Sequence, residues 1–268
     1  MKYELVIIGV NYCSSEQTLA WVKSIRADSG TLIAVVDTSA EKTDPELEKR
    51  LRETGKNVMY LNAGENLGYF GGARYGLKWL TEKEIAFDAL IVSNVDLRFE
   101  TENPAGIIRM YDMEGVGVLA PSILENGKDM NPYKLERMTR AQQERRILYL
   151  KHPAFQKAVD LIRGIRKKQQ QAADYPDGMK IYMGYGACFI FLRRYFDRGG
   201  DLNLPLFLYG EEPYVAEMCR ELGLDIIYAP KIKIQNVGHV SVSTMPSKRQ
   251  RDYMIQSAEY CIEHYYHS

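Results

Sequence analysis

The sequence predicts an α/β protein with a mostly parallel, Rossmann-like central sheet. The first hundred residues alternate short β-branched, apolar runs with helical patterns. Buried parallel strands need such runs, and strands that alternate with helices join as βαβ units. The 268 residues are enough to bury the core of one large domain. We therefore expect helices on both faces of the sheet and a ligand beyond the carboxyl ends of its strands.

The elements of this first part can be assigned in chain order. Asp44 and Pro45 fit the N-cap and the first position of the second helix, and Gly55 fits its end. The predicted strands are Tyr3–Val10, Leu32–Val36, Val58–Leu61 and Ala89–Ser93, and the other two helices are Glu16–Ala27 and Gly72–Leu80.

The second part of the chain departs from this regular alternation. Residues 134–171 form a long polar stretch that reads as helix and holds eleven Lys and Arg against three acids. Its basic bias is typical either of a solvated helical arm inserted in the fold or of a surface for anionic lipid or a partner. The further predicted elements are strands at Val116–Pro121, Tyr182–Leu192 and Ile226–Ile234 and a C-terminal helix at Lys248–Tyr265.

Composition excludes several classes of function. Lys and Arg balance Asp and Glu at 35 each, so no global field favours nucleic acid. No apolar run reaches the roughly 18–20 residues of a membrane span, and the acidic residue near the N-terminus does not fit a signal peptide. The four cysteines are scattered, without a CxxC pair, and predict a reduced, cytoplasmic setting.

The stretch from Asn66 to Leu77 contains four glycines within nine residues, between a predicted strand and a helical pattern. Glycine allows positive φ and close approach of backbone to a ligand, and a helix start offers free N–H groups to an anion. The run therefore predicts a site for a phosphate-bearing ligand. A nicotinamide-binding Rossmann domain would instead need G-x-G-x-x-G after the first strand, and a nucleotidyltransferase a Gly-rich basic loop there; both are absent.

Polar side chains end two of the predicted strands. Asp37 follows the second strand, where it can accept hydrogen bonds from a ribose or a base, or simply cap a turn. Asn94 and Asp96 follow the fourth strand and point the same way if the strand persists. They fit a hard divalent cation shared with a diphosphate, or an ordinary Asn/Asp turn.

Two adjacent glutamates begin a later helical pattern. Pro213 fits a first helical position, which places Glu212 at the N-cap and Glu211 just before it. A carboxylate held ionised there by the helix dipole suits a general base, although a plain helix cap would need the same residue. His239 follows a predicted strand beside a glycine and gains interest only if the fold brings it to Asp96.

In combination these motifs resemble the family-two inverting glycosyltransferases with the GT-A fold, especially the bacterial rhamnosyltransferase-like members. Order and spacing match from about residue 3 to residue 243. The stretches that carry the resemblance are Val10-Asn11-Tyr12, Val36-Asp37-Thr38-Ser39, Asn66 to Gly76, Asn94-Val95-Asp96, Gly186-Ala187-Cys188 before Arg193-Arg194, Glu211-Glu212 with Arg220, and His239.

The resemblance implies one GT-A domain over residues 1–268. Residues 1–100 would form its nucleotide-binding half, 101–245 its acceptor and catalytic half with the basic insertion at about 134–171, and 246–268 a C-terminal helix. The implied partners are a UDP-, dTDP- or GDP-linked sugar donor and a glycan or lipid-linked acceptor. Contact of the basic insertion with the inner face of the membrane is a further expectation.

The resemblance also implies a role for individual residues. Asp96 would bind Mn²⁺ or Mg²⁺ with His239 nearby, and Glu212 would deprotonate the acceptor, with Glu211 as the adjacent candidate. Asn11 and Asp37 would contact the nucleoside. The implied nucleotide-sugar-binding residues are Asn11, Asp37, Asn66, Gly68, Gly72, Arg74, Asn94 and Asp96.

Some positions depart from the family pattern. Arg74 replaces an asparagine in the glycine run and adds a positive group that we expect to face phosphate. Glu211-Glu212-Pro213-Tyr214 replaces Glu-Asp-x-Asp, so the base would be a longer glutamate and the second aspartate is missing. The alternative function is therefore a catalytically degenerate sugar-nucleotide binder, or a protein that binds a membrane or a partner.

Overall fold

The computed structural model describes residues 1–152, 175–238 and 247–266. Ten strands in these residues form one sheet. The strands are β1 Lys2–Asn11, β2 Thr31–Asp37, β3 Val58–Asn62, β4 Ala86–Asn94, β5 Leu97–Phe99, β6 Val116–Glu125, β7 Lys128–Asp129, β8 Lys180–Ile181, β9 Cys188–Leu192 and β10 Asp225–Asn236.

The sheet has two halves of different character. The main path runs β3-β2-β1-β4-β9-β6-β10-β5, with β7 beside β6 and β8 beside β10. Strands β3, β2, β1 and β4 are all parallel to their neighbours, as the βαβ pattern predicts. In the second half β9 is antiparallel to both β4 and β6, whereas β6 and β10 are parallel. The sheet is therefore mixed beyond β4.

Strands β4 and β5 are joined by the two residues Val95 and Asp96, yet they lie four places apart in the sheet. Such a short link requires the sheet to curl, so that its far edge returns towards the end of β4. The link itself then lies where the middle of the sheet and its far edge meet, which places Asp96 at the carboxyl end of β4.

Helices cover both faces of the sheet. Leu5 and Ile7 of β1 belong to one apolar core and Val6 and Ile8 to the other, as alternate residues of a strand must. In the described residues the helices are α1 Ser15–Ser24, α2 Leu47–Arg52, α3 Gly68–Glu82, α4 Pro104–Met110, α5 Arg140–Lys151, α6 Arg193–Asp197, α7 Glu211–Glu221 and α8 Ser247–Tyr265, with a 3₁₀ turn at Ala40–Lys42. None of these helices combines the length and the apolar character that a membrane crossing requires.

Several predicted bounds are wrong in detail. Asp44 does not cap the second helix itself, because α2 begins only at Leu47. Its side chain accepts instead from the Glu46 amide at 3.0 Å, in the turn that precedes the helix. The segment Tyr182–Leu192 is strand only from Cys188 onwards. The basic stretch is not helical from residue 134: Lys134 bridges to Met183, and α5 begins after the capping box of Thr139. Residues 153–171 of that stretch lie outside the described residues.

Helix α8 is fixed to α7 through Glu217, whose side chain is 1% exposed. Arg137 donates to both carboxylate oxygens at 2.6 and 3.2 Å and also to the Tyr265 carbonyl at 2.6 Å. Arg220 and Tyr182 donate to the same carboxylate, and the hydrogen bonds from these three partners hold the pKa of Glu217 below its usual value against the effect of burial. One buried acid thus joins α7 to the end of α8.

Candidate active site

The register of the parallel strands brings polar ends together at one edge of the sheet. Asn11 at the end of β1 pairs with Asp37 at the end of β2, and Asp37 pairs with Asn62 at the end of β3. On the other side of β1, Val10 pairs with Asn94 of β4. Because these strands are parallel, all four polar residues line the carboxyl edge, which is where the sequence places the ligand.

Asn11 and Asp37 form a buried network with each other. The Asn11 amide donates to Asp37 Oδ1 at 3.0 Å, and its own Oδ1 accepts from the Thr18 hydroxyl at 3.0 Å. Asp37 also accepts from the Ser39 amide at 2.9 Å and the Tyr60 hydroxyl at 2.7 Å. Asn11 is 1% exposed and Asp37 fully buried. Both residues shape the first βα turn, and their contact with a nucleoside stays a prediction.

Asp96 lies in the tight link between β4 and β5, with one carboxylate oxygen buried. Its carbonyl accepts from the Val237 amide at 3.1 Å, which ties the end of β10 to this link. Arg98 follows two residues later and donates to the Val95 carbonyl at 3.2 Å. His239, the other predicted metal ligand, lies outside the described residues, two positions beyond Val237.

The donor set fits a divalent cation that is shared with a substrate. Within the described residues no group of three or more His, Cys, Asp or Glu could hold an ion by itself. Mg²⁺ and ions like it are commonly held by one or two carboxylates together with substrate phosphates and water. Asp96, a carboxylate at the carboxyl edge of the sheet, meets that minimal requirement, and a diphosphate would supply further oxygen ligands.

The glycine run lies mainly inside a helix, not in the loop that the sequence predicts. Helix α3 begins at Gly68, four residues before the predicted start, after the exposed Asn66 accepts from the Gly68 amide at 3.1 Å. A Cβ at Gly68 would overlap the Phe207 carbonyl oxygen, and one at Gly72 would lie 2.6 Å from Val10 Cγ1. Both glycines are buried against protein, whereas Arg74 points into solvent. Their contact with a nucleotide stays a prediction.

Helix α7 carries the two glutamates in its first turn. It begins at Glu211 after Gly210 in the left-handed region, so Glu212 is the second helical residue and Pro213 the third. The predicted register is wrong by two positions. The reason is that a proline fits anywhere in the first turn, where backbone N–H groups lack helical partners. Tyr214, in place of the family's second aspartate, is 5% exposed and donates to the carboxylate of Asp201.

The two glutamates differ in surroundings. Glu211 is 7% exposed, and burial together with the charge of Glu212 raises the pKa of Glu211 to about 8. Glu212 rests against Gly186, with Oε1 2.6 Å from the place of a Cβ on that residue. Burial raises the pKa of Glu212, while its own amide, Arg146 and a backbone hydrogen bond from Gly186 oppose that rise. Burial therefore opposes the ionised state that the helix dipole favours, and its effect on the pKa is clearest at Glu211.

A series of contacts connects Glu212 to Asp96 in the β4–β5 link. Gly186, under the Glu212 carboxylate, precedes Ala187, and the Ala187 carbonyl accepts from the Asn94 amide at 2.9 Å. Asn94 ends β4, two residues before Asp96. The second glutamate of α7 and the aspartate of the β4–β5 link are thus connected at the carboxyl edge of the sheet, and the charges of both act on Tyr69. The space between these two carboxylates is called the cleft below.

Sequence reasoning misses three tyrosines around this cleft. The Tyr69 hydroxyl lies 3.1 Å from the Val92 carbonyl and 3.3 Å from that of Ala187. Burial raises its pKa well above the usual value, and Cys188, the two glutamates and Asp96 add to that effect. Burial also raises the pKa of Tyr133 and of Tyr185, and the charge of Glu212 adds to the effect on both. Tyr69 stands inside the glycine run and could have been found there, whereas no motif marks the other two.

The chain resembles known proteins in sequence and in structure. No protein-family model matches the chain. The low-salt glycan biosynthesis hexosyltransferase Agl10 of Haloferax volcanii is 23% identical over 229 residues, which are 84% of this chain. The matched part spans 64% of that relative's length.

Solved structures share the fold of this chain, although their sequence identity to it is low. GalNAc-T7 with UDP, GalNAc and Mn²⁺ superposes with a TM-score of 0.55 at 11% identity, over 89% of this chain and 44% of that one. The mannosyltransferase PcManGT of Pyrobaculum calidifontis, solved with GDP-Man and Mn²⁺, gives 0.50 at 12% identity, over 90% and 59%. This chain has the GT-A fold. The predicted fold class is thereby confirmed.

Proposed function

We propose that the protein is an inverting glycosyltransferase that moves a hexose from a nucleotide-diphosphate sugar to a hydroxyl group. The observation that supports this proposal is that contacts through Gly186 and the end of β4 connect Glu212 with Asp96 at the carboxyl edge of a GT-A sheet. A metal-binding carboxylate and a base on opposite sides of the reacting centre are what displacement with inversion needs. The similarity to a hexosyltransferase supports the same chemistry.

The parallel half of the sheet supports binding of the donor at its carboxyl edge. The turn built by Asn11 and Asp37 would receive the nucleoside, and the first turn of α3 would flank the diphosphate with the N–H groups that follow Gly68. Asp96 would hold the divalent cation, which supplies charge neutralisation of the leaving diphosphate. The Mn²⁺ bound to GalNAc-T7 and to PcManGT supports a metal-dependent reaction here.

Glu212 would act as the general base. Its carboxylate takes the proton of the acceptor hydroxyl while the acceptor oxygen forms a bond to the anomeric carbon. The bond from that carbon to the diphosphate oxygen breaks, and its electron pair leaves with the nucleoside diphosphate. Burial raises the pKa of Glu212, which makes the ionised carboxylate a stronger base than an exposed glutamate.

The proposal also covers the acceptor and the place where the protein acts. A glycan or lipid-linked acceptor fits the glycan biosynthesis role of the relative from Haloferax volcanii. The lipid would place the protein at the cytoplasmic face of a membrane as a peripheral protein. Of the basic stretch, Arg137, Arg140 and Lys151 pair with acids of the protein itself. Binding to vesicles with anionic lipid at low salt tests the contact, and equal binding to neutral vesicles would contradict it.

The test begins with donor binding. Thermal shifts are measured with UDP-, dTDP- and GDP-linked hexoses, each with Mn²⁺, with Mg²⁺ and with a chelator. We expect one nucleotide to stabilise the protein only when metal is present, by mass action on the folded state. Asp96→Asn should abolish the metal-dependent part of that shift. The absence of a shift with every donor would overturn the proposal.

Turnover then separates the two glutamates. Glu212→Gln keeps the shape of the side chain but cannot accept a proton, so we expect roughly a 10²–10⁴-fold loss of transfer with donor binding retained. Glu211→Gln is the matched control and should keep most of the activity. Unchanged turnover in Glu212→Gln would move the role to Glu211. Donor binding without turnover in the wild type would instead indicate a degenerate sugar-nucleotide binder.

A further inference from the structure

Two tyrosine rings lie beside the proposed base. The ring centroids of Tyr133 and Tyr185 are 5.7 Å apart, with planes inclined by 47°. Tyr185 directly precedes Gly186, on which the Glu212 carboxylate rests. Burial raises the pKa of both phenols, and the charge of Glu212 raises it further. The aromatic pair therefore lies near the carboxylate that would deprotonate the acceptor, through the step from Tyr185 to Gly186.

The backbone holds this pair in place. The Tyr185 amide donates to Asn131 Oδ1 at 2.8 Å. Lys134, which follows Tyr133, exchanges backbone hydrogen bonds with Met183 at 3.0 and 3.1 Å. Both tyrosines are thus anchored through neighbours in the same bridge, and their relative position does not depend on loose side-chain packing.

Each tyrosine also has ring surface and a hydroxyl group that a ligand can reach. Tyr133 is 38% exposed and Tyr185 is half-buried. Neither phenol oxygen has a hydrogen-bond partner within residues 1–152, 175–238 and 247–266. A buried tyrosine hydroxyl normally finds a partner, and a ring with one wet end is typical of binding surfaces. The Lys134 ammonium lies over the Tyr133 ring, 5.8 Å from its centroid. The pair thus offers the remaining ring surface and two hydroxyls near the base.

We infer that Tyr133 and Tyr185 form a platform for a sugar ring of the acceptor. A pyranose has a face of polarised C–H groups that packs on the negative face of an aromatic ring, and its hydroxyls can bond to phenol oxygens. This inference rests on the proposed glycosyltransferase function and names the acceptor as a sugar, which a polar lipid headgroup without a sugar would not satisfy.

A nucleobase is the rival occupant, since it too stacks on tyrosine. The sheet order argues against it. Asn11 and Asp37 end β1 and β2, on one side of β4, whereas Tyr185 precedes β9 on the other side. The cleft at Asp96 separates the two places. A donor whose nucleoside lies at β1 and β2 leaves the tyrosine side for the acceptor.

The experiment replaces the aromatic faces and measures acceptor and donor separately. Tyr133→Leu and Tyr185→Leu keep apolar bulk but lose the ring. Initial rates are measured with octyl β-D-glucopyranoside, octyl β-D-galactopyranoside and octyl α-D-mannopyranoside as acceptors. We expect the acceptor KM to rise about tenfold in each variant while the donor KM does not change. Tyr3→Leu, at the amino end of β1, is the matched control and should alter neither KM.

A binding measurement removes the dependence on turnover. Saturation-transfer NMR with the same three glycosides should show transfer to the sugar ring protons, with upfield shifts, in the wild type and loss of both in Tyr133→Leu. Absence of transfer to the ring protons in the wild type, or an unchanged acceptor KM in both variants, would overturn the platform. A rise in the donor KM alone would assign the pair to the nucleobase and overturn it as well. Failure of every donor to bind would overturn the proposed function, a result distinct from these.

Discussion

The carboxylate of Glu212 rests directly on the backbone of Gly186. Its Oε1 lies 2.6 Å, and its Cδ 2.8 Å, from the place that a Cβ on residue 186 would occupy. A side chain on residue 186 would therefore displace the carboxylate of the base. The contact joins the start of α7 to the segment that leads into β9, and it fixes the position of the carboxylate relative to the cleft.

Gly186→Ala should displace the base without unfolding the protein. The atoms that a methyl group would meet belong to the end of a flexible side chain, which can move aside. A displacement of about 1 Å at a reacting group costs up to roughly 10²-fold in rate. We expect kcat for transfer to fall by about that factor, with little change in the donor KM.

The control for this variant is Gly30→Ala, where the nearest atom is Glu4 Cγ at 3.3 Å, far from the cleft. Its kcat and its Tm should match those of the wild type. If Gly186→Ala retained the full kcat, Glu212 could reach the acceptor from a displaced position. Its close contact with Gly186 would then not matter for catalysis.

The buried Glu211 makes stability depend on pH. In the folded protein its pKa is raised to about 8 by burial and by Glu212, from an ordinary value of 4.5. Between those values unfolding releases a proton, so a rise in pH lowers the free energy of unfolding, by at most about 1.4 kcal/mol per pH unit. Glu211→Gln is neutral throughout and avoids this loss.

Thermal unfolding of Glu211→Gln and the wild type is compared from about pH 5 to about pH 9.5. The Tm of the variant should gain on that of the wild type as pH rises, and the difference should level off above the folded pKa. Glu65→Gln, at an exposed position, is the control and should show a constant difference. A constant difference for Glu211→Gln as well would mean that Glu211 is ionised in the folded protein.

The sequence predicts the parallel half of the fold and its polar edge well. The apolar runs that become β1 to β4 are continuous and β-branched, so their type and order are correct, and Asn11, Asp37 and Asn94 fall at strand ends as expected. These features are local, because a strand end is marked by the first polar residue after an apolar run.

Features that depend on distant contacts could not be predicted. Strand β5 has three residues and exists because the curl of the sheet brings it beside β10. The glycines of α3 look like a phosphate loop, yet Gly72 and Gly76 let the helix pack closely on side chains of β1 and β2. The platform residue Tyr185 reaches Tyr133 through a bridge between segments about fifty residues apart, which leaves no local pattern.

The ion-pair cluster around Glu217 should contribute strongly to stability. Arg137→Met removes two hydrogen bonds to a carboxylate that is 1% exposed, together with the one to the Tyr265 carbonyl. Breaking a buried pair costs about 3–5 kcal/mol, and the remaining Arg220 and Tyr182 should reduce that to about 2–4 kcal/mol. Urea denaturation measures the loss.

Arg220→Met is the comparison for that variant. Arg220 is half-exposed and makes one hydrogen bond to Glu217, so we expect a loss of about 1 kcal/mol. The order of the two losses is the prediction. Equal losses would show that the contact of Arg137 with the end of α8 adds nothing.

Gly68 should be essential for a reason other than its backbone conformation. Gly64 and Gly68 have nearly equal positive φ, 74° and 70°, and a Cβ at Gly64 would meet nothing within 4 Å. Alanine at either position costs about 1–2 kcal/mol for the left-handed conformation. The Cβ of alanine at residue 68 would also overlap the Phe207 carbonyl oxygen, a backbone atom that cannot rotate away. This overlap adds about 1–3 kcal/mol to the loss of stability.

The same clash links the glycine run to the base. Phe207 precedes Glu211 by four residues, so Gly68→Ala should push the start of α7 and lower kcat, whereas Gly64→Ala should lower stability alone. Chemical denaturation and transfer rates of the two variants test this directly. Equal effects on both quantities would leave Gly68 with a conformational role only. A loss of kcat in Gly68→Ala alone would show that the absence of a side chain at residue 68 is needed for the segment that positions Glu212.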